Sequence, residues 1–296
     1  MEFRLLRYFL AVAKEQSITR AARVLHITQP TLSRQMMLLE EETGVTLFHR
    51  GSKKILLTSE GFLLKKRAEE MLELMHRTLE ELPLQDKDVE GTVSIGIGEV
   101  KAMESIARIC GSFQKEHPRV RFDIYTTTAE VIKSRMEQGL LDLGLLLEPI
   151  DLEKYDYVRM DYPEKIVVLF SPSDPLSQKE SVTKEDLLPL PLILPSRLNV
   201  QGALGHWFGR NIDSLNVVFT SNLTTNSAVI AMEGYGYPIV AEGATCYYDP
   251  SVLISRPLNP PLFLNTVLAW KDAQPFGNAT LKFIEFVKCL KGIGKV

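Results

Sequence analysis

The sequence predicts an α/β protein in two unlike parts: a small helical head that contains a helix-turn-helix, and a larger body of alternating strands and helices. Three observations point there. Apolar residues of the first 60 positions recur at helical spacing across short joints, whereas from Thr92 strand-like runs alternate with helical stretches. Charge divides the same way. Residues 1–67 hold 12 Lys and Arg against 6 Glu, a net of +6, and the remainder carries 22 against 31, a net of -9, which leaves -3 overall. Finally, 296 residues at 45% hydrophobic and 24% charged suit roughly two domains of ordinary globular composition. A basic front on an acidic body is expected where one end meets a polyanion.

The head is read as follows. Phe3, Leu6, Phe9, Leu10, Val12 and Ala13 give one amphipathic helix. Ser17 caps a second, whose inner face is Ala21, Ala22 and Leu25. After the joint His26-Ile27, Thr28 caps a third helix with Pro30 in its first turn; it runs from Gln29 to about Glu42, buries Leu32, Met36 and Leu39, and stops at Gly44. Residues 46–50 and 55–57 form a hairpin with a basic tip. Thr58-Ser-Glu-Gly then opens a long helix on which Leu64, Ala68, Met71, Met75, Thr78 and Leu82 recur near a seven-residue period. The faces between them are mostly Lys, Arg and Glu, so the single apolar seam predicts pairing with a second copy in preference to packing on its own domain. Pro83 to Gly91 is the linker.

In the body, strands are expected at 92–97, 120–125, 141–147, 166–170, 192–194, 216–219, 237–241 and 266–270. Helices are expected through Ile106 and Phe113, over 129–138, from Ala228, and over 278–290. Strands alternating with helices predict a doubly wound parallel sheet.

A helix-turn-helix reads double-stranded DNA when polar side chains at the start of its second helix reach base edges in the major groove. With Leu32, Met36 and Leu39 inward, Gln29, Thr31, Ser33, Arg34 and Gln35 present that set. Gln suits adenine, Arg guanine, and hydroxyls either base or phosphate. Ser17, helix N-terminal amides, Arg50, Lys53 and Lys54 are fitted to phosphates, which position without reading sequence.

The ordered set Phe9-Leu-Ala-Val-Ala, Ser17-Ile-Thr-Arg-Ala-Ala-Arg-Val-Leu-His, Thr28-Gln-Pro-Thr-Leu-Ser-Arg-Gln, Leu39 to Arg50 and Leu57-Thr-Ser-Glu-Gly resembles a LysR-type transcriptional regulator. Further on, Gly139-Leu-Leu-Asp-Leu-Gly-Leu and Ala231-Met-Glu-Gly-Tyr-Gly-Tyr-Pro resemble looser family segments. The resemblance spans nearly the whole chain, tightly over 1–61. Met36-Met37, Glu233 and Tyr237 depart from the family pattern.

That resemblance implies a winged helix-turn-helix over 1–58, a linker and dimerisation helix over 59–91, and an effector-binding domain over 92–296. The last is expected as two Rossmann-like α/β subdomains, about 92–161 with 266–296 and about 162–265, joined by two crossings into a hinged cleft. It implies a dimer or tetramer in the bacterial cytoplasm, contact with RNA polymerase, no cofactor and no membrane. Ligands in such folds sit beyond the carboxyl ends of strands, at helix N-termini. Those ends supply Glu99, Val100 and Lys101; Thr126, Thr127 and Thr128; Ser196 and Arg197; and Thr225 and Asn226. Thr128 is expected to cap its helix. A small, anionic effector with hydroxyls and Lys101 or Arg197 as partners fits, while Glu99 at the mouth would repel a carboxylate or recruit an amine.

Other classes find little support. The five His form no metal or protease pattern, Gly96-Ile-Gly98 lacks the third glycine of a dinucleotide loop, and no G-x-S-x-G elbow occurs. Three separated cysteines give neither a disulfide framework nor zinc spacing, and Cys110 reads as core. The richest apolar run, residues 187–194, is short and holds two prolines. A solute-binding protein would fit the body alone; the basic front and the lack of an export-type N-terminus argue against it.

Overall fold

The computed structural model describes residues 2–50, 54–81, 89–272 and 274–291, and the chain divides into two units, 1–83 and 84–296. In the first unit, α1 (Phe3–Glu15), α2 (Ile18–Val24) and α3 (Gln29–Thr43) enclose Phe9, Val12, Ala21, Leu32, Met36 and Leu39. The joints follow from capping chemistry. Ser17 Oγ accepts from Arg20 N at 3.4 Å, and Thr28 Oγ1 accepts from Thr31 N at the same distance. Gly44 ends α3 in the left-handed region, and His26 takes φ +55° between α2 and α3.

The strands β1 (Phe48–Arg50) and β2 (Ile55–Leu57) pair antiparallel behind these helices. Glu40 on α3 aims the hairpin, because its carboxylate accepts from Leu47 N (2.8 Å) and Phe48 N (3.2 Å). Thr58 does more than start α4 (Ser59–Glu81). Its hydroxyl donates to Thr46 O at 2.7 Å and accepts from Gly61 N at 2.9 Å. A Cβ at Gly61 would lie 2.2 Å from Leu47 O, so α4 can lie against residues 46–47 only with glycine there. The Thr-Ser-Glu-Gly segment is therefore a joint between hairpin and helix. A local reading finds only the helix start, since the carbonyls it meets lie about a dozen residues back.

In the second unit the chain runs through β3 (Glu90–Ile97), α5 (Met103–Glu116), β4 (Arg119–Thr126), α6 (Ala129–Glu137), β5 (Leu143–Leu147) and β6 (Tyr155–Arg159). It then crosses to β7 (Glu164–Phe170), β8 (Val182–Thr183), α7 (Lys184–Leu187), β9 (Leu192–Pro195) and α8 (Leu198–Phe208). Next come β10 (Val217–Ser221), α9 (Thr224–Met232), β11 (Tyr237–Ala241), β12 (Ile254–Asn259) and β13 (Phe263–Leu264). The chain returns as β14 (Thr266–Lys271) and α10 (Asn278–Leu290). The first sheet has the order β4-β3-β5-β14-β6 and the second β10-β9-β11-β7-β12-β8, with β13 on β7.

A wholly parallel sheet is not what forms. β3 is parallel to β4 and β5, but β14 is antiparallel to β5 and β6; β7 is likewise antiparallel to β11 and β12. Strands joined through a helix keep one direction, whereas those flanking the crossings enter from the opposite end. Sequence reading also missed β6, α8 and β12. Charges interrupt Tyr155-Asp-Tyr-Val-Arg, two glycines dilute α8, and Pro257 sits inside β12.

Each sheet has its own core. In the first, α10 closes over α5, with Phe113 and Phe283 edge-to-face at 5.3 Å. Cys110 lies in this core, and burial pushes its thiol up to about 12. Asp142, from the Gly139–Leu145 segment, is buried and accepts from Ser94 N (2.7 Å) and Ser94 Oγ (2.8 Å), which pins β5 beside β3. Among the described residues no helix is long and apolar enough to cross a membrane.

Candidate functional site

Two places answer to the sequence reading, one in each unit. On α3, Leu32, Met36 and Leu39 are buried, so the opposite side of its first two turns carries exposed Gln29, Thr31 and Arg34, with Ser33 and Gln35 half-buried. Thr31 Oγ1 lies 2.8 Å from Thr28 Oγ1. Ser17 is half-buried at the start of α2, where its oxygen serves the cap. Lys54 is exposed at the hairpin; Arg50 lies on β1 with its side chain outside the description, and Lys53 falls outside the described residues. Met36 fills the core while Met37 is exposed, so that departure from the family pattern leaves packing intact.

The α4 seam is split. Leu64 packs on the core of its own unit and Ala68 is fully buried, because the first turns of α4 lie against α1. Those two residues are thus taken up within the chain rather than offered to a second copy, as the periodicity alone suggested. Met71 and Met75 are half-buried, Leu74 and Leu79 are exposed, and Leu82 lies outside the described residues.

The second place is a cleft between the two sheets of the second unit, with a cavity of about 140 Å³. One wall comes from the ends of β3 and β5 and the start of α6, the other from the starts of α8 and α9 and from β11. Glu99, Val100, Thr127, Thr128, Ser196 and Arg197 line it, over an apolar floor that includes Ile132, Leu145, Ile166 and Leu204. Thr128 occupies the N-cap position of α6 but makes no side-chain cap bond, contrary to expectation. Its backbone is placed to cap, and the residue borders the cavity.

Other expected partners are differently placed. Thr126 and Thr225 line an adjoining cavity that also borders Glu99 and Val100, and neither cavity is lined by Lys101 or Asn226. The Lys101 ammonium lies 3.9 Å from Glu242, half exposed. Two of the three Arg197 nitrogens are spent on the protein itself: Nη1 donates to Leu147 O (2.7 Å) and Nη2 to Pro149 O (2.9 Å), while the buried Nε lies 3.4 Å from Glu130 without a hydrogen bond. Burial lowers its pKa, partly offset by Glu130. Glu99 crosses the cleft to the start of α9, where it accepts from Thr224 N at 2.5 Å and Thr225 N at 3.3 Å.

Sequence reading missed the clamp beside it. Glu164, at the first crossing, is buried and accepts from Lys101 N (2.7 Å) and Gly243 N (2.6 Å), one on each side of the cleft. Burial raises its pKa; the two N–H bonds oppose that rise. An acid before an apolar strand gives no sequence signal of this role. The two departures behind the head do not reach the cavity. Glu233 is exposed past α9, and Tyr237 turns its hydroxyl to Asp174 at 2.6 Å, its pKa pushed up to about 12 mainly by burial.

Comparison with known proteins matches both units. Residues 3–62 match the bacterial regulatory helix-turn-helix protein model of the lysR family, and residues 86–290 match the LysR substrate binding domain. The HTH-type transcriptional regulator BsdA of Bacillus subtilis (strain 168) is 31% identical over 205 residues, 68% of this chain and 69% of that protein. The uncharacterized HTH-type transcriptional regulator YybE of the same organism is 28% identical over 250 residues, covering 82% and 83%. Among solved structures, full-length CbnR complexed with its target DNA has the same fold, with a TM-score of 0.76 at 21% identity over 98% of this chain and 99% of that one. Full-length BenM gives 0.52 at 26% identity, over 99% and 98%. A helix-turn-helix head and a two-subdomain body thus occur together here as they do in those regulators, and the chain belongs to the LysR family of DNA-binding transcriptional regulators.

Proposed function

We propose that residues 1–58 read a specific duplex site through α3, that residues 59–91 link and pair two copies, and that a small molecule held in the cleft of residues 92–296 controls the outcome. Gln29, Thr31, Ser33, Arg34 and Gln35 would meet bases, and Ser17, Arg50, Lys53 and Lys54 the phosphates. Glu99, Val100, Thr127, Thr128 and Ser196 would face the effector, with Thr126 and Thr225 at the adjoining cavity. The observation that carries this reading is the two-faced start of α3: Leu32, Met36 and Leu39 are turned inward, leaving Gln29, Thr31 and Arg34 exposed on the first two turns. The protein would act in the cytoplasm as a dimer or tetramer and meet RNA polymerase at the promoter. An effector contacting both cleft walls would bind open and closed forms unequally, as any shift between them requires.

Selecting DNA fragments with the purified chain, then comparing variants on the selected site, tests this. Arg34→Ala should weaken the preferred site by about 1–3 kcal/mol. Lys54→Ala should weaken all sequences alike and flatten the salt dependence. An unchanged site and affinity for Arg34→Ala would remove α3 from base reading.

A further inference from the structure

Taking the cleft as the effector site, its charges are already committed. Arg197 is the cation among the residues lining the cavity; two carbonyls take its Nη1 and Nη2, and its buried Nε, without a hydrogen bond, is 3.4 Å from the Glu130 carboxylate. The N-terminus of α9 faces the same space and would ordinarily be where an anion binds, since its first amides lack helical partners. Residue Leu223, at the N-cap position, offers no side-chain acceptor. The acceptor comes instead from the opposite wall. Glu99 Oε2 takes Thr224 N and Thr225 N, and Oε1 takes the Thr225 hydroxyl. Three donors converge on one carboxylate that is 125 residues away in sequence and on the other subdomain. Such charge-assisted bonds are the strong kind.

We propose that Glu99 is the resident anion of this cleft: a tethered carboxylate that latches the two subdomains and bars carboxylate and phosphate groups from the α9 end. The effector is then a largely apolar molecule, uncharged or cationic where it meets Glu99, with hydroxyls of Thr128 and Ser196 available to it on the two walls. This sets aside the small anion that the strand-end hydroxyls and cations suggested. An acidic effector would have to expel Glu99 from three donors and place a second negative charge beside it.

The test is chemical rescue on the full chain. Glu99→Ala removes the carboxylate and leaves the α9 amides open, so amide hydrogen exchange at Thr224 and Thr225 should accelerate by about tenfold or more. Sodium acetate or formate, compared with sodium chloride at equal ionic strength, should slow that exchange again in a saturable way and raise the thermal midpoint of the variant. Wild type should respond to acetate and chloride alike. Glu99→Gln fills the space with a single acceptor oxygen; it should exchange faster than wild type yet gain nothing from acetate. If exchange at Thr224 and Thr225 is unchanged in both variants, or if acetate protects wild type as well as Glu99→Ala, the assignment is overturned. Neither readout involves DNA, so failure here is distinct from failure of α3 to read bases.

Discussion

Gly243 offers a direct test of the closed cleft. A Cβ built there lies 1.9 Å from Lys101 N, 2.4 Å from Lys101 Cα and 2.6 Å from Val100 C, all backbone atoms. Ordinary contact begins near 3.4 Å, so Gly243→Ala must drive the two segments apart by about 1.5 Å. Glu164 bridges them through bonds of 2.7 and 2.6 Å, and it cannot keep both after such a shift. Losing a hydrogen bond to a buried carboxylate costs about 1.5–3 kcal/mol. The Lys101–Glu242 pair at 3.9 Å is half exposed and adds little. For a unit of this size, each kcal/mol moves the midpoint by about 2–4 °C, so a fall of about 3–12 °C is expected. The glycine φ is not in the left-handed region, so the effect comes from contact and not from backbone strain. Gly98→Ala is the control: it borders the same cavity, but its nearest neighbour is Thr127 O at 3.9 Å, and its change should stay within about 0.5 kcal/mol. The readout is selective. The chain has two tryptophans, Trp270 on β14 and Trp207 on α8, so fluorescence melting follows the second unit and samples both of its sheets. A Gly243→Ala midpoint within a degree or so of the Gly98→Ala value would mean that the clamp is not closed in solution.

Three further outcomes follow from named contacts. Met75→Glu with Leu79→Glu places charge on the part of α4 left uncovered by its own unit, and should dissociate dimers measured by light scattering while the helical signal is kept; a persistent dimer would move the interface elsewhere. His26 holds φ +55°, so His26→Val should lose about 1 kcal/mol of stability whereas His26→Gly should not, and equal losses in thermal melts would contradict the strain. Burial raises the Glu164 pKa above its ordinary 4.5, so the native state holds this proton more firmly than the unfolded chain. Its favourable contribution is therefore complete below the ordinary carboxylate range and is lost as pH rises through the raised native value. Relative to Glu164→Gln, wild type should lose midpoint as pH climbs from that range; a gain instead would mean the charged form is the one favoured.

Much of the head was legible in the sequence because its determinants are local. Ser17, Thr28, Pro30 and Gly44 mark helix ends through bonds within a few residues, and burial of Leu32, Met36 and Leu39 decides which side of α3 faces outward. The resemblance carried by those same residues extended the reading to the family and to a two-subdomain body. Tertiary structure decided what distance along the chain hides. Thr58 and Gly61 serve residues 46 and 47, and Ala68 is consumed by α1 although its heptad position looks free. In the cleft, Arg197 and Lys101 look like ligand cations by residue type, yet one is occupied by carbonyls about 50 positions back and the other contributes its backbone amide. Glu99 finds its donors 125 residues away, and Glu164 ties Lys101 to Gly243 across the cleft. Residue type says which bonds a side chain is able to make; which of them it makes depends on which backbone the fold brings within 3 Å, and that is settled only when both sheets are in place.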